Sequence, residues 1–388
     1  MNASRRVVIT ACGAVLPLGK SPSAILDGLR QDFSPFERSA HDPETAVLPV
    51  PDFDLKTYTG RFKNARYLHR GQELCLAAAI LAVQESSLNR ERLAEAGLFL
   101  GCGPNLEAAP RPDKALWLMD YLPNTLAAVT AEILGVHGEN LTIQTACAAS
   151  TQALGEAFHA IRAGRIDVAL AGGGDSRLSV RGIRAYRQAG VLASAFDRPE
   201  RACRPFDRSR TGFAVGEGAA MFVLESLEHA QSRGAAILAE IIGAASSLDS
   251  RGLTAPDPLM SAAESCVRRC LDKMRGKSLL IAAHGTGTLL NDAAESALMA
   301  RVAPDALAVC AFKSRLGHLA SACGCAELAA SLICAGAGYF PGIANLDEPC
   351  RTDVPFLRES ANLRPEAILV QSFGFGGQNA CLGVQPWT

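Results

Sequence analysis

The chain is expected to fold as stacked α/β units built on mostly parallel strands. Short apolar runs of strand length alternate with longer stretches of helical period along most of its 388 residues. The runs end in glycine-rich or polar turns. The order of elements before roughly residue 230 resembles the order after it, which predicts two related halves, 1–230 and 231–388.

Taken in order, Val7–Thr10 reads as a first core strand, and Ser21-Pro22 as an N-cap and first-turn proline opening a helix. The stretch Ala14 to Ser21 nearly matches a phosphate-binding loop. It has Ala14 where glycine is needed, and Pro17 removes an N–H that should face phosphate, so nucleotide binding is rejected there. Residues 40–58 read as an irregular excursion. Helix Gln72–Glu85, strand Leu98–Leu100, helix Thr125–Leu134 and strand Asn140–Gln144 follow. A helical pattern carrying Leu154, Ala157, Phe158 and Ile161 stops at Gly164. Strands Asp167–Ala171 and Ala219–Leu224 and helix Leu227–Ser232 complete the first series. The second holds strands near Ile237–Ile242, Leu279–Ala283, Ala308–Ala311, Ile368–Gln371 and Ala380–Val384, with helices at 261–273, 292–300 and 324–335.

Composition excludes several classes. A net charge of −1 with 20% charged residues leaves no electrostatic footprint for nucleic acid or an anionic membrane. No apolar stretch reads as long and continuous enough to span a bilayer. Thirteen cysteines without a Cys-x-x-Cys pair point to free thiols in a reducing cytoplasm and to no metal site.

Chemistry concentrates at a few strand ends. Cys147, in Thr145-Ala-Cys-Ala-Ala-Ser150, sits where a strand turns into a helix. Unpaired N–H groups at a helix N-terminus favour a thiolate, and the alanines around it leave room for a bulky group. His284 ends a buried strand and opens His284-Gly-Thr-Gly-Thr288, where Thr286 and Thr288 present hydroxyls. Lys313-Ser-Arg-Leu-Gly-His318 repeats the arrangement, and Glu327 follows on an apolar helix with Lys313 as the natural partner for its charge. The loop Gly374-Phe375-Gly376-Gly377 has a bare backbone that can offer an N–H to an oxyanion. One histidine would suit a Cys-His hydrolase. Two suit a reaction that makes an enolate from a thioester, because two neutral imidazole N–H groups can hold the charged oxygen.

Together these stretches, with Arg204-Pro-Phe-Asp207 and Gly212-Phe to Gly218, resemble a β-ketoacyl-acyl carrier protein synthase of the elongating type, in the thiolase superfamily. They stand in the family's order across nearly the whole chain. The resemblance implies a thiolase-like five-layered α-β-α-β-α sandwich, a dimer, and no cofactor beyond the phosphopantetheine of an acyl carrier protein. It implies that Cys147 is acylated and that His284 and His318 hold the malonyl thioester during decarboxylation. Lys313 and Glu327 would support the site. Backbone N–H groups of Cys147 and Phe375 would form the oxyanion hole, with Phe375 as gate and Thr286, Thr288, Gly376 and Gly377 contacting substrate.

The chain departs from the family pattern. The segment after Gly103-Pro104, with Trp117, Leu118, Met119 and Tyr121, looks short for one that crosses a dimer interface. Gln378 stands where threonine is usual, and Ala149 where a small hydroxyl residue is common. Fatty acid, polyketide and polyene synthesis all fit the pattern. Two rivals are weighed against it. A chain-length-factor-like partner subunit, in a heterodimer rather than a homodimer, would usually lack the nucleophile. A thiolase acting on coenzyme A esters would need a second cysteine, for which Cys381 is the candidate.

Overall fold

The computed structural model describes residues 5–108, 115–194 and 196–387. Among them twelve strands form: β1 (Val7–Val15), β2 (Glu37–Ser39), β3 (Asp42–Leu48), β4 (Gly97–Cys102), β5 (Asn140–Ile143), β6 (Val168–Ser176), β7 (Val215–Ser226), β8 (Ala239–Leu248), β9 (Leu279–Ala282), β10 (Ala308–Cys310), β11 (Ala367–Gly374) and β12 (Gln378–Pro386). Ten of them run in the order β10-β9-β11-β12-β8-β1-β7-β6-β4-β5. Apart from the β2–β3 hairpin, each half lays down five strands. From its outer edge inward each places its third, second, fourth, fifth and first. The order is therefore palindromic, as two related halves require. In this row the two groups join by strand pairing at three residue pairs among the described residues, Val7–Ile9 against Ile241–Ala239.

Within this row, parallel pairing joins only β10-β9-β11 and β6-β4-β5, and the other neighbours are antiparallel; off the row, β3 adds a short parallel pairing to β7. This corrects the expectation of mostly parallel strands. A strand buried on both faces is apolar throughout whichever way its neighbour runs, so the sequence pattern does not report direction.

Five layers result. Helices Ala149–Arg162 and Cys323–Ala337 lie in the middle, each touching strands of both groups, while Arg70–Ser86 covers β1, β6 and β7 from outside and Ser261–Leu271 covers β8 and β12. Strand alternation shows the sandwich directly. Ala220, Phe222 and Leu224 of β7 join the central core, and Ala219, Met221 and Val223 join the outer one. In β9, Leu280 and Ala282 face the centre and Leu279 and Ile281 the other outer core. Each fully buried Val, Leu, Ile or Phe contributes roughly 1.5–3 kcal/mol.

Three expectations are corrected. β1 runs to Val15 rather than ending at Thr10, with a bulge between Ile9 and Ala11. Gly13 lies inside it because the strand crosses Arg70–Ser86 so closely that a Cβ would meet Ala78 O at 2.2 Å. Residues 40–58 are not irregular. β2 and β3 form a hairpin whose end, Val47–Leu48, pairs with Val215–Gly216, and Lys56–Thr59 is a helical turn. Pro43 sits near the start of β3, at the register shift of the hairpin, where a missing N–H is tolerated. Finally, Ala320–Ala337 is long and apolar enough to cross a bilayer. Most of its residues from Ala320 to Cys334, largely alanine, glycine and cysteine, are instead buried between the two sheets, where small residues permit close packing.

Candidate active site

β5 delivers Cys147. After Ile143 the chain makes a 3-10 turn, Ala146–Ala148, with Ala146 at φ 49°, and enters helix Ala149–Arg162. Gly374, at the end of β11, packs on this turn; a Cβ there would stand 3.0 Å from the Cys147 nitrogen. The strained turn and the bare strand end thus hold the cysteine at the junction of the halves.

The two histidines arrive from β9 and from the helical turn Lys313–Leu316. His318 Nε2 lies 3.4 Å from Cys147 Sγ. The imidazole rings of His284 and His318 are 5.9 Å apart at 77°. Each ring is fixed through its other nitrogen: the Ala320 N–H donates to His318 Nδ1 at 3.1 Å, and the Lys313 ammonium lies 3.1 Å from His284 Nδ1. With a donor at each Nδ1, the proton of each neutral ring belongs on Nε2, facing the cysteine. Burial, aided by the Lys313 charge, pushes His318 down to about 3 and His284 well below its ordinary value, so both rings are neutral.

Behind His284, Lys313 forms a fully buried ion pair with Glu327 and also donates to the His284 carbonyl. This is the pairing the sequence suggested. Burial works against the ammonium, but the Glu327 carboxylate against it holds its pKa above the ordinary value. Burial raises the Glu327 carboxyl to about 7 against the pull of Lys313.

The thiolate expectation is corrected. Burial outweighs the charge of Lys313 and pushes the Cys147 thiol up to about 11. Cys147 rests as a thiol.

A cavity of about 730 Å³ opens over these groups, with Cys147, His284, His318, Thr286, Thr288 and Phe375 on its wall. Gly377 also lines it. Gly376 does not; its N–H donates to Leu253 O at 2.6 Å and ties the loop down. Cys381 is buried in the outer core, away from the cavity. Part of the segment after Pro104, residues 109–114, lies outside the described residues. Beyond it, Trp117 and Tyr121 stack edge to face at 5.6 Å, and Leu116, Leu118 and Tyr121 are exposed.

Residues without a role in the sequence reading hold the site together. Asp292 and Glu295, in the first turns of helix Leu289–Val302, accept the N–H groups of the histidine loop. Glu295 takes His284 and Gly285 at 2.7 and 2.8 Å, and Asp292 takes Thr286 at 3.0 Å and Phe206 at 2.6 Å. Two acids opening a helix after a glycine-rich loop were a legible signal, since a helix N-terminus favours negative charge. Phe213 stacks on His318 at 4.3 Å and 23°. It lies in the quoted Gly212-Phe stretch, but nothing in sequence placed it against a histidine.

The ligand atoms of Cys147, His284 and His318 lie within 4.8 Å of one another, a spacing that could suit a metal ion. The hydrogen bonds oppose one. Both Nε2 atoms carry protons, and freeing either lone pair would turn an N–H toward the Ala320 amide or the Lys313 ammonium. The trio can instead donate two N–H bonds to one oxygen beside a thiol.

Comparison with known proteins agrees with this chemistry. The model of the beta-ketoacyl synthase N-terminal domain matches residues 4–230 and that of the C-terminal domain residues 238–347. A putative mitochondrial 3-oxoacyl-[acyl-carrier-protein] synthase of Schizosaccharomyces pombe is 33% identical, covering 97% of this chain and 98% of its own. A putative polyketide beta-ketoacyl synthase of Streptomyces halstedii is 32% identical, covering 96% of each. The solved ishigamide ketosynthase/chain length factor is 29% identical over 100% of both chains with a TM-score of 0.87. With both domains matched and a third of the residues shared end to end with one relative, the chain belongs to the beta-ketoacyl synthase family.

Proposed function

We propose that the chain catalyses decarboxylative Claisen condensation of a Cys147-bound acyl group with a malonyl thioester on an acyl carrier protein. Ketosynthase activity follows from the family; the assignment of residues is our reading. The acyl carbon moves from the carrier's pantetheine sulfur to Cys147 Sγ, and the thiol proton leaves with the departing sulfur. His284 and His318 then hold the malonyl thioester oxygen while carbon dioxide departs. The enolate carbon attacks the acyl carbonyl, whose oxygen is received by the backbone N–H groups of Cys147 and Phe375; the acyl C–Sγ bond then breaks and the Cys147 thiolate takes a proton from water, restoring the thiol. Phe375 gates the cavity, Thr286, Thr288 and Gly377 contact the pantetheine arm, and Gly376 braces their loop. Lys313 and Glu327 keep the His284 tautomer fixed. No cofactor of the chain's own is required by this scheme.

The observation that carries the proposal is the pair of neutral rings with Nε2 toward one thiol and Nδ1 facing a donor. Incubating the chain with malonyl-carrier protein and following carbon dioxide release in wild type and His284→Ala tests it. Release at the wild-type rate in the variant would refute the role.

We further infer that residues 1–230 and 231–388 are the two halves, that the enzyme works in the cytoplasm, and that it dimerises. The edge strand β5 has no partner on one side among the described residues and exposes Leu141, which is suited to pairing with a second chain of the same fold. That second chain is another copy or a chain-length-factor-like subunit; light scattering of the purified chain, alone and co-expressed, separates the two. The partner-subunit reading for this chain itself is disfavoured by its intact Cys147, His284 and His318. The thiolase reading is disfavoured because Cys381 does not reach the cavity.

A further inference from the structure

One wall of the cavity comes from the N-terminal half and includes Cys102, Pro104, Gln144, Arg177 and Tyr186. It sets polar groups among apolar ones such as Leu106, Ala185, Val191 and Phe213, where a saturated hydrocarbon chain would need apolar surface throughout. The Arg177 side chain is 8% exposed; it pairs with the fully buried Asp175 at 3.1 Å and donates to Pro104 O at 2.7 Å. Asp175 is otherwise occupied by the N–H groups of Ser176 and Ser321. Tyr186 lays its ring edge-on against Phe213 at 5.1 Å and His318 at 6.3 Å. Its hydroxyl has no hydrogen-bonding partner among the described residues, and Gln144 reaches only the Cys102 sulfur, at 3.9 Å. These groups lie near Cys147: Asp175 and Arg177 both influence its thiol, and burial raises the Tyr186 phenol.

An alkyl chain lying here would leave a phenol and a carboxamide desolvated without partners, which is costly. With Asp175 spent, the free groups are the Tyr186 hydroxyl, which donates and accepts, and the Gln144 carboxamide, which keeps one N–H to donate and its oxygen to accept. The Arg177–Asp175 pair is neutral overall, so the wall has no net attraction for an anion. What it complements is a neutral acceptor oxygen. We infer that this wall selects acyl groups whose chain carries a carbonyl or hydroxyl oxygen, with Tyr186 as the specificity-determining residue and Gln144 assisting. The inference rests on the condensation reading above. Loading forms the Cys147 Sγ–acyl bond, breaks the donor's thioester C–S bond and returns the thiol proton to the departing pantetheine sulfur.

The test uses the full chain and pantetheine thioesters of 3-oxohexanoic, 5-oxohexanoic and 5-methylhexanoic acids, the last matching the second in volume. Initial rates of Cys147 acylation are read by intact mass. At least one oxo chain should load about tenfold faster than the methyl chain, since sites with partnerless polar groups discriminate against ligands that cannot pair them. Tyr186→Phe should bring that ratio close to one while the methyl chain still loads. Gln144→Leu should lower it less, and stands in if Tyr186→Phe does not fold. A wild-type ratio near one, or a ratio unchanged in both variants, overturns the inference and leaves the condensation reading intact. If no thioester acylates Cys147, the condensation reading fails and takes this inference with it.

Discussion

The two halves use the same backbone device for different chemistry. Each ends a strand, makes a 3-10 turn with an alanine at positive φ, and enters a middle-layer helix. In the first half these are Ile143, Ala146 at φ 49°, and Ala149–Arg162; in the second they are Cys310, Ala320 at φ 47°, and Cys323–Ala337. Cys147 and Ser321 therefore occupy equivalent positions. The connection from strand to turn is Gln144-Thr145 in one half and residues 311–319 in the other. The longer connection carries Lys313 and His318. The repeated turn supplies two pedestals; a longer loop on one of them supplies the histidine that faces Cys147 on the other.

The comparison breaks most sharply at the pedestal residues. Cys147→Ala should abolish acyl loading, seen as no mass shift with any acyl donor, while Ser321→Ala still loads. Acylation of another cysteine in the first variant would mean that the wrong pedestal has been identified. The next largest effect belongs to the longer connection. His318→Ala should lower malonyl decarboxylation by roughly 10²–10³, as loss of one preorganised donor does, yet keep part of the acyl transfer to Cys147. Equal losses in both half-reactions would make His318 part of the transfer step as well.

A pH experiment sharpens the same point. The folded state holds His318 neutral down to about 3, far below the ordinary value of about 6.5. The unfolded chain takes up a proton there that the folded chain refuses. Stability associated with the neutral ring is thus present above pH 6.5 and is lost progressively as pH falls toward 3. Denaturant midpoints should drop between pH 7 and 5, and His318→Gln should flatten the drop. Decarboxylation rates over the same window should show no inflection from a histidine. The smallest effect lies at the surface of the first half. Trp117→Ala and Tyr121→Ala should weaken dimerisation or shift the preferred acyl length, read by light scattering and acyl profiling. A wild-type dimer and profile in both would make the pair a local packing feature.

Much of this was legible in the sequence because strand ends and glycine-rich turns mark themselves. Cys147, His284 and His318 each follow a readable strand, and the lone acid Glu327 on an apolar helix asked for the one lysine that meets it. Strand direction was not legible, since an apolar run carries no sign of its neighbour's direction. Nor was the protonation of the thiol. Local position near a helix start argued for a thiolate, but burial, which depends on what the other half contributes, decides otherwise. Phe213 and the acids beneath the histidine loop were visible as residues but not as neighbours, because contacts between distant segments leave no local pattern.

The shared middle layer has a consequence for how the chain comes into being. The inner faces of β1 and β7 rest partly on Cys323–Ala337, a helix from the other half. During synthesis that helix appears about a hundred residues after β7 is complete, on the order of 5–20 s later at typical elongation rates. Until then a sheet built to be covered on both sides holds one face only partly covered. The nascent N-terminal half therefore presents apolar surface until that helix arrives, and a ribosome stalled between Ser226 and Cys323 should leave a product prone to aggregate rather than a small folded domain.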